Sequence, residues 1–201
     1  MRRILAPLLL TGVLLAGGAC AAQPAVGQAV DTLLVSADQQ MNAQDKAADI
    51  ADDLKAEGSK KSVAERVDKR LAALKKFQAT VDRADHLQPA HKKALTELIA
   101  QQTKDLTALR DKTGKDVARS VVVDFRVFIL TGPKVRLATA IDTELAAADK
   151  LGADDVTKSL NGQVDKLLAI KPGPDAAAIK KQLEPIRTAA KEARTTLKAK
   201  K

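Results

Sequence analysis

The feature that most constrains the fold of this chain is its high alanine content combined with its scarcity of aromatic side chains. The sequence has 37 Ala among 201 residues, but three Phe, no Trp and no Tyr. Alanine has the highest helix propensity and buries little apolar surface. Such a chain forms helices readily and packs them through thin aliphatic seams. The sequence therefore predicts an all-α protein of elongated antiparallel helical hairpins, a coiled-coil-like bundle of about five to seven helices.

The first residues have the order of a secretory signal peptide. Arg2 and Arg3 provide a positive n-region, and residues 4–15 provide an apolar h-region. This run is too short for a lasting transmembrane helix, and no later run in the sequence approaches the length needed to span a bilayer. We therefore expect residues 1–19 to be removed as a signal peptide and the mature protein to be exported.

The single cysteine, Cys20, closes this leader in the sequence AGGAC. The sequence resembles the lipobox of bacterial lipoproteins, in which a diacylglycerol is attached to the cysteine. The position three before the cysteine is usually Leu and is Gly17 here. The resemblance implies lipidation of Cys20 and anchoring at the outer face of the cytoplasmic membrane or in another cell-envelope membrane. The alternative is ordinary cleavage after Ala21 or Ala22, which would discard Cys20.

The mature chain divides into a tether and a helical domain. Residues 20–36 are predicted to be a lipidated tether, because residues 21–29 form a short segment containing Pro24 and Gly27. A first helix is predicted within residues 30–57, but poor helical periodicity over residues 30–40 leaves its start open. Residues 37–201 are predicted to be the helical domain.

A long hairpin is predicted for residues 60–113. Ser62 and Glu65 have the spacing of a capping box, and Pro89 suits the first turn of the second helix. Two long helices joined by about four residues are expected to be antiparallel neighbours.

An apolar helix with a proline hinge is predicted for residues 115–151. Residues 120–130 also alternate as a strand would, but a strand needs a partner and no other segment offers one. Pro133 is expected to break or kink the helix, because proline lacks an amide hydrogen and disfavours helical geometry at Gly132.

The C-terminal helices are predicted for residues 154–201. The last of these helices has apolar residues at alternating spacings of four and three, as in a coiled-coil seam. The seam residues are Ile179, Leu183, Ile186, Ala190, Ala193 and Leu197. Pro185 is expected to cause a kink or a late start in this helix.

A second resemblance lies in the apolar helix. The run DFRVFIL at residues 124–130, followed after two residues by PKV, resembles the pattern D-Y-R-V-Y-x-L-x-x-P-K of uncharacterised exported bacterial helical proteins. It covers about residues 60–151. Both tyrosines of the pattern are Phe here, Phe125 and Phe128, which removes any hydroxyl-based role. The group has no activity to carry over, so the resemblance implies a helical fold and export.

The charge distribution suggests an anionic contact surface. Removing the two leader arginines leaves 32 basic and 25 acidic side chains, a net charge of +7. Eight bases and two acids lie in residues 180–201. The alternative is a mixed-sign helix face that is simply solvated. The sequence argues against nucleic acid, because it lacks aromatic stacking residues and a recognisable reading module. The candidate anionic contacts are Lys180, Lys181, Arg187, Lys191, Arg194 and Lys198.

No catalytic residue, metal site or cofactor is predicted. His86 and His91 are five residues apart across a predicted turn, whereas ligands on one helical face need spacings of three or four, so both are predicted to be exposed turn residues. Four aspartates on one helical face lack the spacing of a Ca²⁺ loop and are predicted to be solvated. They are Asp45, Asp49, Asp52 and Asp53.

The sequence KTG at residues 112–114 matches a motif of penicillin-binding enzymes, but the chain has no S-x-x-K.

These observations predict a lipid-anchored protein of the bacterial cell envelope that serves as a non-catalytic structural or protein-interaction module. Its expected partners are the membrane, through the N-terminal lipid, and an envelope protein. The alternative is a binder of anionic polymer or membrane surface through the basic C-terminal helix. A third hypothesis, a hydrolase or carrier subunit, has no visible active residues. The oligomeric state is open, because the C-terminal seam can close within one chain or between two.

Overall fold

The chain folds into a bundle of helices. A computed structural model describes residues 23–56, 63–110, 115–172 and 176–201, with side chains described for residues 27–43, 63–110, 126–172 and 177–201. The described residues form helices without any strand, so the all-α prediction is confirmed and residues 120–130 are helical. The helices are α1 (Gln23–Ala56), α2 (Val63–Asp82), α3 (Pro89–Arg110), α4 (Lys115–Leu151), α5 (Asp154–Leu160), α6 (Gln163–Ala169) and α7 (Ala176–Lys200).

Helix α4 is the centre of the bundle. It contacts each of the other six helices. Nearly every side chain from Thr131 to Ala148 is buried, on all sides of the helix. A helix that buries its whole circumference is a core helix, whereas its neighbours each bury one stripe. Phe128 is buried in this core, as predicted from the sequence.

Contacts between side chains fix the directions of the helices. His91 and Gln102 of α3 contact Asp142 and Thr131 of α4, so α3 runs antiparallel to α4. Arg110 near the end of α3 contacts Asp68 near the start of α2, so these two helices form an antiparallel hairpin.

The last helix, α7, is parallel to α4. Arg194 contacts Glu144, and Lys200, six residues later, contacts Asp155 just beyond the end of α4. Lys201 also contacts Asp31 of α1. The start of α1 and the end of α7 therefore lie at the same end of the bundle. All six positions of the predicted seam in α7 are buried within this one chain.

The segment assigned to a tether, residues 20–36, is largely part of the folded domain. Helix α1 begins at Gln23, and Val30, Leu33 and Leu34 are buried in the core against α4. Burial of one large aliphatic side chain contributes about 1.5–3 kcal/mol. This gain, repeated along the helix, outweighs the weak helical signal around Pro24 and Gly27.

The break expected at Pro133 is wrong. Helix α4 continues through Gly132 and Pro133 to Leu151. A proline inside a helix costs about 3 kcal/mol, but here the residues on both sides are buried by neighbouring helices that hold the segment helical. Gly132 also allows α2 to approach closely, since a Cβ at this position would lie 3.0 Å from Cζ of Phe77. Helix α7 likewise continues through Pro185, which is exposed.

Some predictions concern residues or side chains that lie outside those described. These are the predictions for Cys20 and its leader, for the cap at Ser62, and for the side chains of Phe125 and of the four aspartates in α1. In the part of the chain that the structure describes, no helix combines the length and apolar character needed to cross a membrane.

Candidate functional site

Polar side chains buried on the central helix form the candidate site. Most buried helices present apolar residues, but α4 buries threonines, one lysine and two carboxylates. The hydroxyls of Thr139 and Thr143 donate to backbone carbonyls four residues earlier in the same helix. Four other buried polar side chains of α4 form hydrogen bonds to residues outside this helix: Thr131, Lys134, Asp142 and Glu144.

Asp142 joins α4 to the beginning of α3. Its Oδ2 accepts a hydrogen bond from the backbone N–H of Gln88 at 2.8 Å and another from Nδ1 of His91, also at 2.8 Å. The free N–H groups and positive end of a helix favour a carboxylate at this position. Its Oδ1 is buried and has no hydrogen-bond partner in the described structure. Asp142 thus holds the first turn of α3 against the central helix.

The prediction that His91 is an exposed turn residue is wrong. Its side chain lies on the face of α3 that packs on α4, and the residue is 8% exposed, whereas His86 is exposed as predicted. Because a carboxylate accepts at Nδ1, that nitrogen carries the hydrogen and Nε2 faces outward. Nε2 lies 3.5 Å from Oδ1 of Asp165 in α6. The imidazole is therefore hydrogen-bonded to α4 through Asp142, and Asp165 of α6 lies beside its other nitrogen.

A carboxylate that orients a histidine is also found in metal and acid–base sites. Here the second imidazole nitrogen faces another carboxylate. Within the described ranges, no group of three or more His, Cys, Asp or Glu side chains is arranged to hold a metal ion.

Glu144 is the centre of a buried ionic cluster. The residue is 0% exposed, and its Oε1 accepts hydrogen bonds from Nε of Arg194 at 3.0 Å and from Nη2 of the same guanidinium. Nη1 of Arg194 lies 3.0 Å from Oδ1 of Asp38, whose Oδ2 accepts from Lys198 at 2.7 Å. The cluster joins α1, α4 and α7. Glu144 Oε2 is buried without a hydrogen-bond partner among the described residues.

The two carboxylates of this cluster have opposite pKa shifts. Burial raises the pKa of Glu144 to about 7, although the charge and hydrogen bonds of Arg194 act in the other direction. Burial would also raise the pKa of Asp38, but hydrogen bonds from Lys198 and Arg194 outweigh it and lower that pKa. The difference arises because Asp38 lies near the surface between two cations, whereas Glu144 has one cationic partner and is fully buried.

Lys134 and Thr131 make two further links from α4. Lys134 Nζ donates to the carbonyl oxygens of Leu168 and Ile170 at 2.6 and 2.8 Å, at the C-terminal end of α6, where cations are favoured. Burial lowers the pKa of Lys134. Thr131 donates to the side-chain oxygen of Gln102 in α3 at 2.7 Å.

The structure separates the candidate anionic contacts of α7 into different environments. Arg194 is 7% exposed and points inward at Glu144, so it is not a surface contact. Its position beside the apolar seam carries it into the core, where two acids compensate its charge. Lys198 pairs with Asp38, and Nη1 of Arg187 lies 3.6 Å from Glu184. The remaining three, Lys180, Lys181 and Lys191, are exposed.

Sequence reasoning missed Asp142 and Glu144. The available signal was a pair of acids within a helix whose other residues are mostly apolar or small, a context in which each acid needs a buried partner. The partners themselves, 51 and 50 residues away, leave no local signal.

Comparison with known proteins finds no family model, no curated protein and no solved structure that matches this chain.

Proposed function

We propose that this chain is a lipid-anchored protein of the bacterial cell envelope that serves as a non-catalytic structural or protein-interaction module. The observation that carries the proposal is the order of the first residues: a basic and apolar leader, the small residues before Cys20, and helix α1 beginning at Gln23. A lipid on Cys20 would be separated by two residues from a helix that packs into the bundle core. The anchor would then hold a folded body close to the membrane rather than at the end of a long tether.

The buried polar residues support a structural role for the bundle. The hydrogen bonds of Asp142, Glu144 and Lys134 are made to other helices of the same chain. Each link joins α4 to a different neighbour, so the network favours one arrangement of the helices. Partnered polar groups inside a core act in this way, because a shifted helix would leave them unsatisfied.

Incorporation of labelled palmitate in a bacterial host tests the anchor. The wild-type chain should take up the label and sediment with membranes, and Cys20→Ser should do neither. Ala21→Ser is the matched control, since it changes the neighbouring residue and keeps the thiol. Equal labelling of Cys20→Ser and wild type would reject Cys20 as the site.

A second candidate function is binding of an anionic polymer or membrane surface by α7. It is favoured by the exposure of Lys180, Lys181 and Lys191 on this helix. Deleting residues 180–201 cannot test it, because the deletion would remove buried core residues such as Leu197.

Charge neutralisation tests this candidate without removing core residues. Replacing Lys180, Lys181 and Lys191 by Gln should weaken salt-dependent retention on an anionic matrix. Replacing Lys150, Lys158 and Lys166 by Gln removes the same charge elsewhere and should weaken retention less. Equal retention of the two triple variants would contradict a role for α7.

A further inference from the structure

An open groove runs along the exposed side of the α2–α3 hairpin. It has a volume of about 670 Å³. Its apolar lining consists of Leu71 and Leu74 from α2 together with Ile99 and Ala100 from α3. Leu74 and Ile99 are also part of the bundle core, so the floor of the groove is continuous with that core.

The polar groups in the walls are largely satisfied within their own helices. The hydroxyl of Thr103 donates to the carbonyl of Ile99 at 2.8 Å, and that of Thr107 donates to the carbonyl of Thr103 at 2.7 Å. The amide of Gln78 donates to Asp82 at 2.8 Å. The donor hydrogens of both threonines are thus already used within α3. The lining therefore suits apolar side chains.

Two lysines give the groove its charge. Lys75 of α2 and Lys104 of α3 are exposed residues of the lining, one on each helix. Neither forms an ion pair with any residue that the structure describes, whereas Arg110 pairs with Asp68 at 3.1 Å across the same two helices. No acidic residue belongs to the lining. Negative charge on both flanks of a ligand would therefore favour its binding in the groove.

The length of the groove limits the size of its ligand. Its lining extends over residues 71–78 of α2 and 99–107 of α3. At 1.5 Å per residue, this length is about 12 Å, or roughly two turns of a helix. A helix lying in a groove contacts it through residues spaced three and four apart.

We propose that the α2–α3 groove is a docking site for an acidic amphipathic helix of a partner protein. Apolar residues of that helix lie on Leu71 and Ala100, and Asp or Glu residues on either side approach Lys75 and Lys104. The inference rests on the interaction role proposed above and specifies the partner surface. An anionic polymer offers no apolar row for the floor. A second copy of this chain is opposed by the net charge of +7 that each mature chain carries.

A pair of designed peptides tests the proposal. The first, about 18 residues long, forms a helix with a row of Leu flanked by Glu, and the second has Lys at each Glu position. Binding to the full chain is measured by fluorescence anisotropy at two salt concentrations. The Glu peptide should bind, more weakly at high salt, and the Lys peptide should bind at least about tenfold more weakly.

Charge-reversal variants locate the binding site. Lys75→Glu combined with Lys104→Glu should weaken binding of the Glu peptide about tenfold or more, because two attractions become repulsions. Lys158→Glu combined with Lys166→Glu makes the same change in net charge on α5 and α6 and should leave binding within about twofold of the wild type.

Several outcomes would overturn the proposal. One is equal binding of the two peptides, and another is an unchanged affinity in the Lys75 and Lys104 variant. A wild-type dimer in sedimentation that this variant abolishes would assign the groove to a second copy instead. Peptide binding does not need Cys20, so Cys20→Ser should bind the peptide normally. Failure of the anchor and failure of the groove are thereby distinguished.

Discussion

Replacing Glu144 by Gln is expected to make the stability of the bundle less dependent on pH between about 4.5 and 7. In the folded chain, burial raises the pKa of this carboxyl from its ordinary value of 4.5 to about 7. A carboxyl with a higher pKa in the folded state binds its proton more tightly there than in the unfolded chain. Its contribution to stability is therefore fully present below the unfolded pKa and is lost as the pH rises through the folded pKa.

The magnitude follows from the size of the shift. One pKa unit corresponds to ~1.4 kcal/mol, so a shift from 4.5 to about 7 corresponds to roughly 3 kcal/mol of unfolding free energy. A glutamine side chain at this position would keep the shape of the glutamate without a titrating proton. Asp38 does not contribute in this window, because its lowered pKa places its titration at more acidic pH.

Urea denaturation at a series of pH values, followed by circular dichroism, measures the effect. The difference in unfolding free energy between wild type and Glu144→Gln should change by roughly 3 kcal/mol over the window, with the wild type losing stability as pH rises. Glu192→Gln, which alters an exposed carboxyl of α7, is the control and should follow the wild-type curve. A difference that stays constant with pH, or that changes in the opposite direction, would refute the reasoning.

Three further predictions concern packing around α4. Gly132→Ala should be less favourable in the wild-type chain than in a Phe77→Leu chain by about 0.5–3 kcal/mol, because the new Cβ would lie 3.0 Å from Cζ of Phe77. Urea titrations in which the two changes are additive would contradict the close contact. Leu33→Ala should lower the unfolding free energy by about 2–5 kcal/mol because Leu33 is buried in the core, whereas Val35→Ala, at a residue that is 56% exposed, should lower it by at most about 0.5 kcal/mol. Equal and small losses of thermal stability in the two variants would show that this part of α1 is not packed in the core. Arg194→Met should lower the unfolding free energy at pH 8 by about 3–5 kcal/mol, because it leaves the Glu144 carboxyl buried without its cationic partner. A loss below about 1 kcal/mol in urea denaturation would indicate that Arg194 and Glu144 form an exposed ion pair instead.

The sequence predicted the class of fold well because its signals are local. High alanine content and few aromatic residues favour helices wherever they occur, and the seam of α7 depends on spacings of three and four within one segment. Pro89 marks the start of α3 by its own geometry. All of these act over a few residues and are readable without knowing the neighbours.

The candidate site was much less predictable from the sequence. The sequence predicts Arg194 at the surface and His91 in an exposed turn, but both are buried. The residues have ordinary sequence contexts, and what distinguishes them is a carboxylate supplied by α4.

By itself, the sequence determined that this chain forms helices and where most of them end. Only the tertiary structure decided that α4 is the central helix, that it continues through Pro133, and that Val30, Leu33 and Leu34 of α1 belong to the core. The physical reason is the range of the forces involved. Helix propensity and capping act within a turn, but the environment of a charge is set by whatever packs on it. Arg194 and Asp38 meet across 156 residues of sequence, and packing of α1 and α7 against α4 brings them together.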